Sequence, residues 1–100
     1  MNPLILCILI IFSLVGCVSA PPIMDYTIAR SALESARGSD APRLSSGFWN
    51  KAEELFRMGE ESFNNKDFST AKELFIQSIE YSEKSENSAR QKKFESGDYF

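Results

Sequence analysis

The distribution of proline restricts the fold of this chain more than any other feature. Its four prolines are Pro3, Pro21, Pro22 and Pro42, and none follows Pro42. Proline interrupts helices and central strands, so the long segment after Pro42 is free to form uninterrupted helices. From Tyr26 onward apolar residues recur every three or four positions, and no run of alternating β-branched residues indicates a strand. We therefore predict an all-α fold.

The first predicted helix spans about Tyr26 to Arg37, and its predicted apolar stripe is Ile28, Ala29, Ala32, Leu33 and Ala36. Asp25 is a suitable N-cap, because its carboxylate can accept hydrogen bonds from free backbone N–H groups, and Gly38 is a suitable stop. The residues that follow, 39–47, are rich in turn-forming types and predict a loop.

The second predicted helix starts after the Ser45-Ser46 cap region and ends near Asn64. A turn at 65–67 leads into a third helix, whose apolar pattern fades after Ser82 and so predicts a polar continuation that either overhangs the bundle or frays. The predicted core positions are Phe48, Ala52, Leu55, Phe56, Gly59 and Phe63 on the second helix and Phe68, Ala71, Leu74, Phe75, Ser78, Ile79 and Ser82 on the third.

Short connections place successive helices side by side in opposite directions. The predicted architecture is thus a small antiparallel three-helix bundle over residues 25–94, followed by a C-terminal tail at 95–100. A chain of 11.3 kDa leaves room for one small core.

An apolar segment precedes this domain. Every residue from Leu4 to Val15 is apolar except Ser13. A helix needs about 20 apolar residues to cross a bilayer, so the segment is too short for a stable span. It has the length of the apolar region of a secretory signal peptide, which we assign to residues 1–16.

Leu14-Val15-Gly16-Cys17, at the end of this segment, resembles the lipobox of bacterial lipoprotein precursors. The resemblance implies a diacylglyceryl thioether on Cys17, cleavage by signal peptidase II between Gly16 and Cys17, and often acylation of the new amino group. Val18 stands where aspartate retains related lipoproteins in the inner membrane. This implies an outer-membrane position facing the periplasm. The alternative is an ordinary signal peptide cleaved near Ala20.

Residues 17–24 are predicted to be a tether. Pro21 and Pro22 favour the extended polyproline II conformation, so the domain is expected to hang close to the lipid. The acyl chains expected on Cys17 insert into the membrane, which is therefore the first predicted partner of the chain.

Composition excludes several functions. Eleven basic and 14 acidic residues give a net charge of -3, which argues against nucleic acid as a partner. The sequence has no histidine, so catalysis by Ser-His or Cys-His pairs and histidine-ligated metal sites are excluded. It also lacks a phosphate-binding loop, a CxxC motif and an acidic metal loop. We expect no enzyme activity, no cofactor, no metal and no small-molecule substrate.

The glutamates are expected to be solvated. Glu53, Glu80 and Glu86 each stand four residues before a basic residue, which is the favourable spacing for ion pairs on a helix. General acid–base catalysis instead requires a carboxyl group in a dry pocket.

Gly59, Phe68, Ala71 and Phe75 have the separations found in a tetratricopeptide hairpin, and residues 55–82 resemble one such unit. The closing proline of that repeat is replaced by Glu83. From Cys17 onward the chain also resembles small α-helical envelope lipoproteins of unknown function. The resemblance brings no catalytic residues.

Trp49 is the candidate partner contact. It follows Phe48, the first residue of the predicted stripe, and therefore points about 100° away from it. It is expected either to pack on the first helix or to stay exposed as an anchor for a partner protein. We predict a lipid-anchored, non-enzymatic envelope lipoprotein that acts as a structural or protein–protein adaptor. The alternative is a module that binds the cell wall or a small ligand through Trp49 and the polar end of the third helix.

Overall fold

The computed structural model describes residues 2–15 and 20–97. Within these residues the chain forms five α-helices and no β-strand, so the all-α prediction is confirmed. The helices are α1 (Pro3–Val15), α2 (Ile23–Gly38), α3 (Ala41–Leu44), α4 (Ser46–Asn64) and α5 (Phe68–Ser96). The Cα atoms extend 77 Å along the longest axis and 19 and 13 Å across it.

Helix α1 stands apart from the rest of the fold. Among the described residues α1 contacts none of the other four helices, whereas α2, α3, α4 and α5 all contact one another. Its side chains as far as Leu9 are exposed. Of the helices that the structure describes, none is long and apolar enough to cross a membrane.

Helix α2 begins earlier than predicted, and the assignment of Asp25 as its N-cap is wrong. The N-cap position belongs to Pro22, whose carbonyl accepts a hydrogen bond of 3.0 Å from the Tyr26 N–H group. Proline suits a helix start because its fixed φ is compatible with the helix and it has no N–H group to leave unsatisfied. Pro22 is also buried. The helix therefore takes in residues 23 and 24, which the sequence assigned to the tether.

The predicted loop at 39–47 contains the short helix α3. Asp40 ends the turn after α2 with a left-handed backbone (φ 64°), and its carboxylate forms an ion pair of 2.6 Å with Arg43. Pro42 lies in the first turn of α3, where a missing N–H group costs nothing. Ala41 is completely buried, so this turn contributes to the core.

A tight turn joins α4 to α5. Lys66 adopts a left-handed conformation (φ 61°), and the Asp67 carboxylate accepts a hydrogen bond of 3.4 Å from the Thr70 N–H group. This cap satisfies one of the free donors at the start of α5.

The prediction that α5 overhangs the bundle or frays directly after Ser82 is wrong. The helix continues to Ser96 and ends at Gly97, whose φ of 76° suits a C-terminal cap. The polar appearance of this segment is misleading, because Ser85 and Ala89 are completely buried. Serine is small enough to be buried, and the Ser85 hydroxyl donates a hydrogen bond of 3.4 Å to the Ser45 carbonyl.

Contacts between the long helices fix their directions. The ring pair Tyr26–Phe75 and the hydrogen bond between Ser35 and Glu86 show that residue numbers rise together along α2 and α5, so these helices are parallel. In α4 and α5 the order is reversed. Ser78 of α5 bonds to Ala52 of α4. Ser85, which comes later on α5, bonds to Ser45, which comes before Ala52 at the N-cap of α4. Helix α4 is thus antiparallel to α5.

The core consists of two clusters. The aromatic cluster lies towards the start of α2 and comprises Ala29, Ala71 and Phe75 with the half-buried Tyr26, Phe56, Phe63 and Ile79. The alanine cluster lies towards the end of α2 and comprises Leu33, Ala36, Ala41, Trp49, Ala52 and Ala89.

Gly59 is essential to the aromatic cluster. A Cβ atom placed on it would lie 2.6 Å from Cε1 of Phe75, closer than two carbon atoms can approach. The glycine therefore makes room for the Phe75 ring, which is completely buried. Of the other residues in the tetratricopeptide-like pattern, Ala71 is buried, and Phe68 is half-buried with its ring 5.5 Å from that of Phe63.

Candidate functional site

The predicted lipidation site, Gly16 and Cys17, lies outside the described residues. The described part ends at Val15, the last residue of α1, directly before Gly16. Cys7, on α1, is exposed. Lipidation of Cys17 and cleavage before it therefore stay predictions from the sequence.

Trp49 is buried, with 4% of its surface exposed. It packs in the alanine cluster with Leu33 and Ala36 of α2, and the Arg37 guanidinium carbon lies 5.4 Å from the centre of its ring. The structure therefore supports the interpretation in which Trp49 packs on the first helix, and Trp49 is not an exposed anchor.

Phe48 occupies the exposed position instead, so its assignment to the core is wrong. It is 43% exposed, and its ring centre lies 6.3 Å from that of Tyr81. Spacing alone could not separate the two choices, because Trp49 precedes Ala52 by three residues and Phe48 precedes it by four. The burial of Trp49 between α2 and α4 decides the register.

A groove between α4 and α5, the basic groove, is lined by Ser45, Gly47, Phe48, Lys51, Tyr81, Ser88 and Lys92. Its volume is about 380 Å³, and these lining residues include two lysines and no acid. The Lys92 ammonium group donates a hydrogen bond to the Leu44 carbonyl, and the Lys84 nitrogen lies 4.9 Å from the centre of the Tyr81 ring. The groove thus combines two aromatic rings with lysine ammonium groups, of which Lys51 lies 3.9 Å from the Glu54 carboxylate.

A second groove, between α2 and α4, has a balanced charge. Three arginines and three glutamates line its volume of about 300 Å³, namely Arg30, Arg37, Arg57, Glu34, Glu53 and Glu60. With equal numbers of both signs, this groove favours neither cations nor anions.

Five carboxylates of the described residues lie in ion pairs on single helices or turns. Glu80 lies 3.8 Å from Lys84, and Glu86 lies 2.5 Å from Arg90, as their spacing predicted. The third predicted pair, Glu53 with Arg57, is not among the ion pairs that the described residues form. Exposed pairs of this kind contribute at most about 1 kcal/mol each. Nowhere in residues 2–15 and 20–97 does a cluster of acidic, cysteine or histidine side chains have the arrangement of a metal site.

The buried face of α5 carries three serines. Ser78, Ser82 and Ser85 are all completely buried. Ser78 donates a hydrogen bond of 2.8 Å to the Ala52 carbonyl of α4, whereas the Ser82 hydroxyl has no hydrogen-bond partner. The sequence did carry a signal for this face, because alternating steps of four and three residues connect Ala71, Phe75, Ser78, Ser82, Ser85 and Ala89.

Comparisons of the chain with protein-family models, curated proteins and solved structures found no match. The functional argument therefore depends on the residues and contacts of the chain itself.

Proposed function

We propose that this chain is the precursor of a lipid-anchored, non-enzymatic envelope lipoprotein whose helical domain acts as a structural or protein–protein adaptor. The observation that carries the proposal is the sequence Leu14-Val15-Gly16-Cys17, which follows an apolar segment and stands shortly before the domain that begins at Ile23.

The separation of α1 from the other helices supports removal of residues 1–16. Because α1 has no contact with α2–α5 in the described chain, its cleavage breaks none of the described contacts between helices. Cleavage before Cys17 leaves the first residue of α2 only six positions from the new N-terminus. The domain then begins almost directly at its anchor.

We further propose that the anchor lies in the outer membrane and that the domain faces the periplasm. Val18, rather than aspartate, after Cys17 supports this sorting. It is a proposal from resemblance to lipoproteins of double-membraned bacteria.

An adaptor acts through its surface rather than through a reactive site. The absence of histidine from the sequence and the exposure of paired glutamates such as Glu34 and Glu80 support this role over catalysis. Exposed apolar side chains on the long helices provide contact area for another protein, among them Ile28, Phe48, Met58 and Ile76.

Metabolic labelling with palmitate tests the anchor. We expect the wild-type chain to incorporate label and to be cleaved. Cys17→Ser should lose the label and accumulate as uncleaved precursor, because the acceptor thiol is gone. Cys7→Ser is the matched control, since this cysteine lies in the segment that is removed, and it should be labelled and processed normally. Normal cleavage of Cys17→Ser near Ala20 would contradict the proposal and indicate an ordinary signal peptide.

The basic groove favours a second candidate, a module that binds the cell wall or a small anionic ligand. Co-sedimentation of the mature domain with purified peptidoglycan tests it. Phe48→Ala should weaken binding, whereas Met58→Ala, at a residue that is also 43% exposed but lies outside the groove, should not. Equal binding by both variants and the wild type would exclude the groove as the site.

A further inference from the structure

Helices α2 and α5 share a largely exposed apolar surface that borders the aromatic cluster at the half-buried Ile79. We call it the α2–α5 face and define it by Met24, Ile28, Ala32, Ile76 and Ile79. Met24 is 75% exposed, while Ile28 and Ile76 are 47% and 46% exposed. Ile28, Ala32 and Ile79 line a shallow groove of about 430 Å³ between the two parallel helices. The face is thus a second apolar stripe on α2, beside the buried one.

On this face the exposed apolar surface is greatest at the start of α2, where the tether joins the domain. Exposure falls from Met24, in the first turn of α2, to the half-buried Ala32 two turns later. Lys72 stands four residues before Ile76 and so lies on the same side of α5. It is exposed and takes part in none of the ion pairs formed within the described chain. The acidic residues of the groove, Glu83 and Glu86, lie further along α5.

The distance from the anchor to this face is limited. Pro22 is buried, so the free tether ends there rather than at residue 24. Cys17 precedes Pro22 by five residues, which span at most about 18 Å when fully extended. Helix α2, at 16 residues, is about 24 Å long. The tether is therefore shorter than the helix that it holds, and the domain stays within reach of the lipid surface.

We propose that the α2–α5 face lies against the phospholipid surface into which the acyl chains of Cys17 insert. The inference rests on the proposed lipidation of Cys17. Apolar side chains such as Met24 and Ile76 enter the boundary between headgroups and acyl chains, and the Lys72 ammonium group meets lipid phosphate. Lipid is favoured over a protein partner because the exposed apolar surface is greatest next to the anchor. Lys72, on the same side of α5 as Ile76, is available to lipid phosphate, while the acids of the groove, Glu83 and Glu86, lie further from the anchor.

The structure offers a matched pair of positions for a test. Gly59 contacts Phe75, so their neighbours Met58 and Ile76 lie at the same height along the bundle. The two side chains are 43% and 46% exposed, but Met58 is on α4 and outside the α2–α5 face. Cysteine introduced at either position is the only free thiol of the mature chain once Cys17 is acylated.

The experiment uses full-length acylated protein, purified from membranes as Met58→Cys or Ile76→Cys, spin-labelled and reconstituted into phosphatidylethanolamine–phosphatidylglycerol vesicles. Flotation and mass spectrometry establish the anchor, and thermal melting establishes that both labelled variants are folded. Collisions with oxygen, which concentrates in lipid, and with a water-soluble nickel chelate are then measured by electron paramagnetic resonance. We expect more oxygen collisions and fewer nickel collisions at position 76 than at position 58.

Two results overturn the lipid contact while leaving the anchor intact. Equal accessibility at both positions in floating vesicles shows that the face is free in water. A loss of both oxygen and nickel collisions at position 76 shows that protein, such as a second copy of the chain, covers the face. If the protein does not float and carries no acyl chain, the proposed function itself fails, and this inference fails with it.

Discussion

The two ends of the helical domain are packed in different ways. In the aromatic cluster the ring centres of Tyr26, Phe56 and Phe75 lie 5.4–5.6 Å from one another. In the alanine cluster Trp49 is the one buried aromatic residue, and Leu33 and four alanines complete the buried set, with Leu44, Phe56 and Tyr81 packed against it. One end thus depends on the fit between large side chains, and the other on the close approach of helix backbones.

The hydrogen bonds show how close that approach is. The Ser78 side chain reaches the Ala52 carbonyl of the neighbouring helix at 2.8 Å, although serine has a very short side chain. Each buried methyl group contributes only about 0.8 kcal/mol of hydrophobic free energy, so alanines stabilise this end weakly one by one. The small residues set the distance between the helices in the alanine cluster, and Trp49 provides the largest apolar contact in that cluster.

Replacement of Phe75 by alanine should have the largest effect. Phe75 is completely buried and contacts both Tyr26 and Phe56, so the cavity left behind should cost about 3–5 kcal/mol of unfolding free energy. Thermal melting followed by circular dichroism measures the loss. Phe48→Ala, which removes a 43% exposed ring, is the control and should cost much less. Equal losses in both variants would refute the assignment of the aromatic cluster as a core.

Replacement of Gly59 by alanine should have an intermediate effect. The added methyl group overlaps the Phe75 ring, and such overpacking costs about 1–3 kcal/mol. Gly47→Ala is the matched control, because no atom lies within 4 Å of its added carbon. The double variant Gly59→Ala/Phe75→Leu should recover part of the stability that Gly59→Ala loses, because the smaller leucine leaves room for the added methyl group. A melting temperature unchanged in Gly59→Ala would show that the helices are further apart than described.

The smallest effects should come from the serines of α5, and they should differ in sign. Ser82→Ala removes a buried hydroxyl without a partner and should raise stability by about 1 kcal/mol or less. Ser78→Ala removes the hydrogen bond to Ala52 and should lower it by about 1 kcal/mol. Both variants gain the same helix propensity, so the difference between their chemical denaturation midpoints reports the contrast between a bonded and an unbonded buried hydroxyl. Identical midpoints would contradict this account.

The fold class could be predicted from the sequence because the apolar spacing is helical throughout. The register of α4 could not, because Phe48 and Trp49 both fit a spacing of three or four residues before Ala52. Only the position of α2 and its Leu33 and Ala36 decides between them. The spacing predicted burial of Ser78 and Ser82, but burial of Ser85 was missed, because the apolar pattern was taken to end at Ser82 although the same alternation of three and four residues continues to Ser85 and Ala89.

The start of α2 and the α2–α5 face were less predictable than the fold class. The start of α2 at Ile23 depends on the docking of Pro22, a tertiary contact that propensities do not contain. The α2–α5 face became visible only when α2 and α5 were seen to lie side by side. Ile28 by itself is an ordinary member of the predicted first helix.

The parallel alignment of α2 and α5 has a consequence for the order of folding. Tyr26 and Phe75 are about 50 residues apart, so their contact closes a long loop, whereas α4 and α5 meet across a tight turn. A chain made from its N-terminus produces α2 first and its partner last. Until synthesis reaches α5, Ala29 and Leu33 have no surface on α5 to cover them. The hairpin of α4 and α5 is therefore expected to form first, and α2 is expected to pack against it afterwards.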